Sequence, residues 1–220
     1  MTRDLDTPHG PARAHLYASE AATTAVVLGH GAGGGVNAPD LVAAKRAALA
    51  LGITVVLVEQ PYRVAGRRSP APAQQLDTAW LAVLEQLDLG GLDLITGGRS
   101  SGARVACRTA AIAGAAGVIC LAFPVHPPGR PEKSRLDELD AVNVPVLVVQ
   151  GARDPFGMPP TAPKRTVVEV AGDHSLRASA KAVETAVGEW LSSRGAAATA
   201  RAALPDRRSG RSRRSARSTR

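Results

Sequence analysis

The stretch Leu92-Asp93-Leu94-Ile95-Thr96-Gly97-Gly98-Arg99-Ser100-Ser101-Gly102-Ala103 decides the fold. An apolar run suited to a buried strand ends at Thr96, and a helical pattern starts at Ala103. Between them lies Gly98-Arg99-Ser100-Ser101-Gly102, the G-x-S-x-G pattern of a nucleophile elbow in its strand–turn–helix setting. A serine presented from so sharp a turn leaves no room for side chains against the backbone, and Gly98 and Gly102 supply the clearance. The same letters also fit an ordinary glycine-rich βα turn, so the rest of the chain has to discriminate.

Downstream, Val146-Leu147-Val148-Val149 reads as a buried parallel strand followed by Gln150-Gly151-Ala152-Arg153-Asp154-Pro155, which puts Asp154 just past the strand's carboxyl end. Thr166-Val167-Val168-Glu169-Val170 leads into Ala171-Gly172-Asp173-His174-Ser175 and does the same for His174. Ser100, Asp154 and His174 follow one another in the Ser…Asp…His order of one convergent nucleophile–base–acid constellation. All three belong at one edge of a parallel sheet. Upstream, Ala25-Val26-Val27-Leu28 runs into Gly29-His30-Gly31-Ala32-Gly33-Gly34-Gly35, an H-G-rich loop of the type that lends a backbone donor to an oxyanion hole. The expected donors are the N–H groups of Ala32 and Ser101.

With these four pieces in order, the chain resembles an α/β-hydrolase of the small dienelactone-hydrolase-like branch. Within it, residues 97–104, 123–129 and 150–157 resemble the hydrolase-like domains related to the testis-expressed hydrolase and to a subunit of a nonspecific-lethal histone acetyltransferase complex. The similarity spans about residues 12–194. The resemblance implies an open, mostly parallel twisted sheet with helices on both faces, and a serine hydrolase acting on a small ester or thioester through an acyl-enzyme. Its alternative, suggested by the chromatin-complex subunit, is a catalytically silent hydrolase fold used for binding or scaffolding. The intact set of Ser100, Asp154, His174 and two oxyanion loops favours the enzyme, because a scaffold has no physical need to keep them together.

Gly29-x-Gly31-x-x-Gly34 also fits the dinucleotide fingerprint, and the strand Ile53-Thr54-Val55-Val56-Leu57-Val58 ends at Glu59, about where a ribose-binding acid would stand. Against it, Gly35-Val36-Asn37-Ala38-Pro39 delays the helix to about Asp40, whereas the third glycine of the fingerprint belongs in the first helical turn. That reading also leaves Ser100, Asp154 and His174 without a role. A P-loop is excluded, since no Lys-Ser or Lys-Thr follows the glycines.

At 220 residues and 45% hydrophobic content the chain suits one domain with a real core. Strand-like runs fall near 13–18, 24–28, 53–58, 92–96, 117–122, 146–150 and 166–170, alternating with amphipathic segments. The spacing predicts helices over Asp40–Leu51 and Leu76–Leu89, with Trp80 packing inward, and a last helix over Ser175–Ser193, expected to dock beside the start of the nucleophile helix. Only about a dozen residues separate Ala122 from a helix near Ser134, too few for a large lid, which favours a small substrate. Residues 1–11 read as a flexible N-terminus, 12–194 as the domain, and 195–220 as a disordered tail.

The formal charge of +8 looks like a nucleic-acid signal until it is divided. Residues 195–220 hold eight arginines and one aspartate, leaving 19 basic and 18 acidic residues elsewhere. The Ser/Arg/Ala-rich tail is first a solvated appendage; weak binding of a polyanion through Arg207, Arg208, Arg211, Arg213 and Arg214 is its functional reading. No cofactor or metal site is expected: there is no C-x-x-C or H-E-x-x-H. Cys107 and Cys120 read as small core residues. No signal core or spanning segment is evident, and the cytoplasm is the default location. Among the other histidines, His30 is expected to brace the oxyanion loop or touch substrate, and His126, in Pro124-Val125-His126-Pro127-Pro128, to line the pocket or tie down its loop. Arg67 and Arg68 stand in a loop where they could meet an acidic substrate.

Overall fold

A computed structural model of the chain describes residues 1–202, with side chains to residue 194. Its strands are β1 (Thr2–Leu5), β2 (Ala12–Tyr17), β3 (Thr24–Gly29), β4 (Thr54–Glu59), β5 (Asp93–Arg99), β6 (Gly117–Leu121), β7 (Val146–Gly151) and β8 (Arg165–Val170). The helices are α1 (Pro39–Ala50), α2 (Pro61–Val64), α3 (Ala73–Gln86), α4 (Ser101–Thr109), α5 (Leu136–Asp140) and α6 (Ala180–Ala202). The strands form one sheet in the order β1-β2-β4-β3-β5-β6-β7-β8, parallel from β4 to β8, with β2 antiparallel to β4 and β1 antiparallel to β2. Central strands such as Val146-Leu147-Val148-Val149 are buried on both faces, which is why they read as continuous apolar runs.

Crossovers between parallel strands are right-handed, so the direction of each step chooses a face. The step β3 to β4 runs one way and puts α1 on one face; β4 to β5, β5 to β6 and β6 to β7 run the other way and put α3, α4 and α5 on the opposite face. The last helix corrects the sequence expectation: α6 packs on α1, on the face away from α4, with Val183, Val187, Trp190 and Leu191 in the core it shares with Leu41, Ala44 and Ala48. Periodicity gave its buried stripe but carried no information on which neighbour that stripe meets.

Two boundaries also differ from those read off the sequence. Residues 1–11 are not a loose arm, because Thr2–Leu5 pairs with β2 as the edge strand. Backbone pairing, the Asp4–Arg13 ion pair at 2.7 Å and the burial of Leu5 hold it, and none of these is visible in a four-residue polar stretch. At the other end the backbone stays helical to Ala202, past the expected boundary at 194. The tail arginines from Arg207 on lie outside the described residues. No helix among the described residues is long and apolar enough to cross a membrane.

Helix α4 is clamped to its neighbours by charge. Arg104 and Arg108 both reach Glu138 of α5, at 2.7 and 3.1 Å, and Arg108 also pairs with Asp77 of α3 at 2.6 Å. Burial pushes the Glu138 carboxyl up, but the hydrogen bonds and charges of the two arginines outweigh it and hold it below the usual carboxylate range. A depressed carboxyl contributes stability that is present above its unfolded value near 4.5 and lost as pH falls through the folded one. Glu138→Gln is therefore expected to cost about 1.5–3 kcal/mol at pH 7, with the gap to wild type closing below pH 4 in urea titrations.

Candidate active site

Ser100 stands between the end of β5 and the first turn of α4, with φ 50° and ψ −107°. A positive φ is costly for any side chain other than glycine's, and here it is imposed from two sides. The Ser100 N–H donates to Leu121 O of β6 at 2.9 Å, and the glycines on either side lie against the β3–α1 loop. A Cβ on Gly102 would collide with Gly29 O and stand 2.6 Å from the Gly29 carbonyl carbon; one on Gly98 would also collide with Gly29 O. Both glycines are thus required by close approach between the elbow and the loop holding Ala32.

From Ser100 a hydrogen-bonded line runs across the carboxyl edge of the sheet. The Ser100 hydroxyl is 2.9 Å from His174 Nε2, and His174 Nδ1 is 2.8 Å from Asp154 Oδ2. A carboxylate only accepts, so Nδ1 carries the imidazole proton and Nε2 is left free to accept from the serine. Asp154 is almost fully buried, with its Oδ1 accepting from the Phe156 N–H at 2.8 Å and its Oδ2 from Gln150 Nε2 at 2.8 Å. Gln150 Nε2 also lies within hydrogen-bonding distance of Gly157 O and Phe123 O, so one buried amide, its two N–H groups shared among three acceptors, ties the Asp154 loop to the end of β6. Phe156 stacks on the imidazole with ring centroids 4.1 Å apart. The sequence reading missed Gln150 and Phe156, although a polar residue ending an otherwise apolar strand was a visible signal for the first.

Ala32 and Ser101 are half-buried, and among the described residues neither N–H donates a hydrogen bond. The loop around Ala32 is braced from behind. Tyr62 donates its hydroxyl to Ala32 O at 2.7 Å, and burial pushes the phenol's pKa up to about 12, so it stays a neutral donor. His30 is buried with both ring nitrogens used by backbone: Nε2 accepts from the Gln60 N–H at 3.0 Å and Nδ1 donates to Gly31 O at 2.8 Å. Burial lowers its pKa below the ordinary 6.5, keeping it neutral. The substrate contact entertained for His30 is corrected accordingly, since the ring faces the protein and braces the loop. Tyr62→Phe is expected to lower kcat about three- to tenfold by loosening Ala32; steady-state kinetics check this.

His126 is half-buried, donates Nδ1 to Pro127 O at 2.9 Å, and lies beside Gly157 of the Asp154 loop. Arg99, the last residue of β5, reaches several neighbouring segments. Its Nε lies 3.0 Å from Asp40 Oδ2, an ion-pair distance without a well-aligned hydrogen bond, and its Nη2 donates to His174 O at 3.0 Å. Its Nη1 would stand 2.6 Å from a Cβ on Gly31, so this residue of β5 meets the β3–α1 loop, α1 and the His174 loop.

A strained serine at a strand-to-helix turn, presented at the carboxyl edge of a mostly parallel sheet, defines the α/β-hydrolase class of architecture. The chain belongs to the alpha/beta hydrolase domain family, whose model matches residues 22–200. No match was found among curated proteins. Among solved structures, the chain is similar to Est1E from Butyrivibrio proteoclasticus, at 17% identity and TM-score 0.72 over 89% of this chain and 99% of that one. A serine hydrolase without a lid from Xanthomonas campestris aligns at 24% identity and TM-score 0.69 over 86% and 94%. A dienelactone hydrolase from Anabaena variabilis aligns at 16% identity and TM-score 0.67 over 87% and 95%.

Proposed function

We propose that the chain is a serine hydrolase that cleaves a small ester or thioester. The observation that carries this reading is the hydrogen-bonded line from Ser100 through His174 to Asp154, at 2.9 and 2.8 Å, starting from a serine with positive φ. Ser100 Oγ attacks the acyl carbonyl and its proton passes to His174 Nε2, while Asp154 holds the Nδ1 proton and stabilises the imidazolium. The Ala32 and Ser101 N–H groups receive the oxyanion, a task for which unengaged donors cost nothing to reorganise. Collapse breaks the bond to the alcohol or thiol, which leaves with the proton from Nε2. Water then attacks the acyl-enzyme with His174 again as base, releasing the acid and restoring Ser100.

The short connection after β6 supports a small substrate reached without opening a lid. The resemblance of 97–104, 123–129 and 150–157 to the testis-expressed hydrolase type belongs to the same reading, since two of those segments carry Ser100 and Asp154. Labelling with a fluorophosphonate probe tests it. The expected result is one covalent adduct, mapped by peptide mass analysis to Ser100 and absent from Ser100→Ala; a folded protein that stays unlabelled overturns the reading.

A further inference from the structure

The loops at the carboxyl edge of the sheet, where Ser100 opens, carry a charge that the rest of the domain does not share. The β4–α3 connection, 60–72, holds Arg63, Arg67 and Arg68 and no carboxylate. The loop after β6 adds Arg130, Lys133 and Arg135 against Glu132 alone, and the loop after β7 adds Arg153 beside Asp154. Asp40, Glu59 and Asp173 are the further carboxylates at this edge, and each is already engaged, by Arg99, His15 and Ser175. Residues 1–194 together are nearly neutral, so the remainder of the domain is net acidic and the positive field is concentrated at the catalytic rim. Among the described residues Arg67, Arg68, Arg130 and Arg153 form no ion pair. Unpaired cations gathered around a reaction centre raise the local concentration of anions there.

One of these arginines also borders a cavity. A cleft of about 90 Å³ is lined by His9, Gln60, Tyr62, Arg67, Gln75 and Leu76. Gln60 is 6% exposed, and its Oε1 accepts no hydrogen bond among the described residues although its Nε2 donates to Leu76 O. Gln60, Tyr62 and Leu76 also wall a much smaller void that touches His30, Ser101 and Gly102. The cleft is therefore separated from the nucleophile turn by a single layer of side chains, and its Tyr62 is the residue bonded to Ala32 O.

We propose that the substrate is an ester or thioester bearing an oxyanion, a carboxylate or a phosphate, and that Arg67 and Arg68 receive this group while the acyl carbonyl lies at Ser100. The exposed guanidiniums suit a planar or tetrahedral oxyanion. This specificity rests on the serine-hydrolase reading, but it makes a separate demand on different residues.

The test uses the full chain and two matched pairs of esters: para-nitrophenyl butyrate with para-nitrophenyl hemisuccinate, charged on the acyl side, and phenyl acetate with para-carboxyphenyl acetate, charged on the leaving group. After correction for spontaneous hydrolysis, at least one anionic ester is expected to exceed its neutral partner about tenfold in kcat/KM at low salt. That preference should vanish in Arg67→Ala/Arg68→Ala and fall with ionic strength, while the neutral esters, which also report on folding, keep their rates. Suppression of the arginine-dependent rate by succinate or by inorganic phosphate then identifies the preferred oxyanion. Equal rates within both pairs, or a preference that survives the double substitution, overturn the proposal. If neither ester of a pair is cleaved, the hydrolase reading fails, and calorimetric binding of succinate decides the anion site by itself: affinity lost in the arginine double variant upholds it, and identical isotherms overturn it.

Discussion

Ser100→Ala is expected to lower kcat for an activated aryl ester by about 10⁴- to 10⁶-fold, with what survives owed to the oxyanion donors and to binding. The size of the effect follows from the line of hydrogen bonds. Removing Oγ leaves His174 Nε2 with no proton to take, and water in its place lacks the fixed attack geometry. The fold should be untouched, because the backbone of the elbow is held by Ser100 N to Leu121 O and by the packing of Gly98 and Gly102 on Gly29, none of which uses the hydroxyl. Ser100→Gly separates activity from strain. It should lose the same activity yet gain about 1 kcal/mol in chemical denaturation, since φ 50° carries a cost only for a residue with a Cβ. An alanine variant keeping a tenth of wild-type turnover would assign the chemistry to another group.

The second large effect is expected at Arg99. Asp40 is fully buried at the start of α1, and burial pushes its carboxyl above the ordinary value even with Arg99 beside it. Arg99→Met would leave that carboxylate uncompensated, and removing one partner of a buried pair typically costs about 3–5 kcal/mol. The sign of the pH dependence follows from the direction of the shift. A carboxyl raised in the folded state gives its full stability below its unfolded value near 3.8 and loses it as pH rises through the folded value. The Arg99→Met penalty should therefore be largest at alkaline pH and shrink as pH falls and protonation neutralises Asp40. Asp40→Asn/Arg99→Met should recover much of the stability but not the turnover. The bond from Arg99 to His174 O remains lost, the His174 loop loses its anchor, and kcat should stay about 10- to 100-fold down. A double variant that regains full kcat would reduce Arg99 to a purely structural role.

Much of the architecture was legible because it rests on local rules. Val26, Val56, Ile119 and Val148 sit in uninterrupted apolar runs, and such runs belong to strands covered on both faces. The elbow was legible because close approach at Gly29 forbids a side chain at two fixed positions around one serine, leaving a pattern of glycines. The His-Gly loop, the aspartate and the histidine each follow an apolar run directly, so their arrival at one edge of a parallel sheet could be expected from strand direction. What stayed hidden was long-range. Thr2–Leu5 has no strand signal of its own and is a strand only because β2 offers it an edge. Helix α6 carries a clear stripe, yet its partner α1 is set by crossover handedness and strand order.

The sequence by itself determined the parallel sheet, the glycine-framed turn at Ser100, and the order in which serine, aspartate and histidine reach the sheet's carboxyl edge, because strand burial, turn sterics and chain direction act over a few residues. Only the tertiary structure decided that His30 faces inward, that Gln150 and Phe156 hold Asp154 and His174 in place, and that Arg99 joins four segments through a buried Asp40. Those are contacts between groups from 4 to 75 positions apart or rotamer choices fixed by packing, and no local pattern encodes which of several polar neighbours a folded chain will bring within hydrogen-bonding distance.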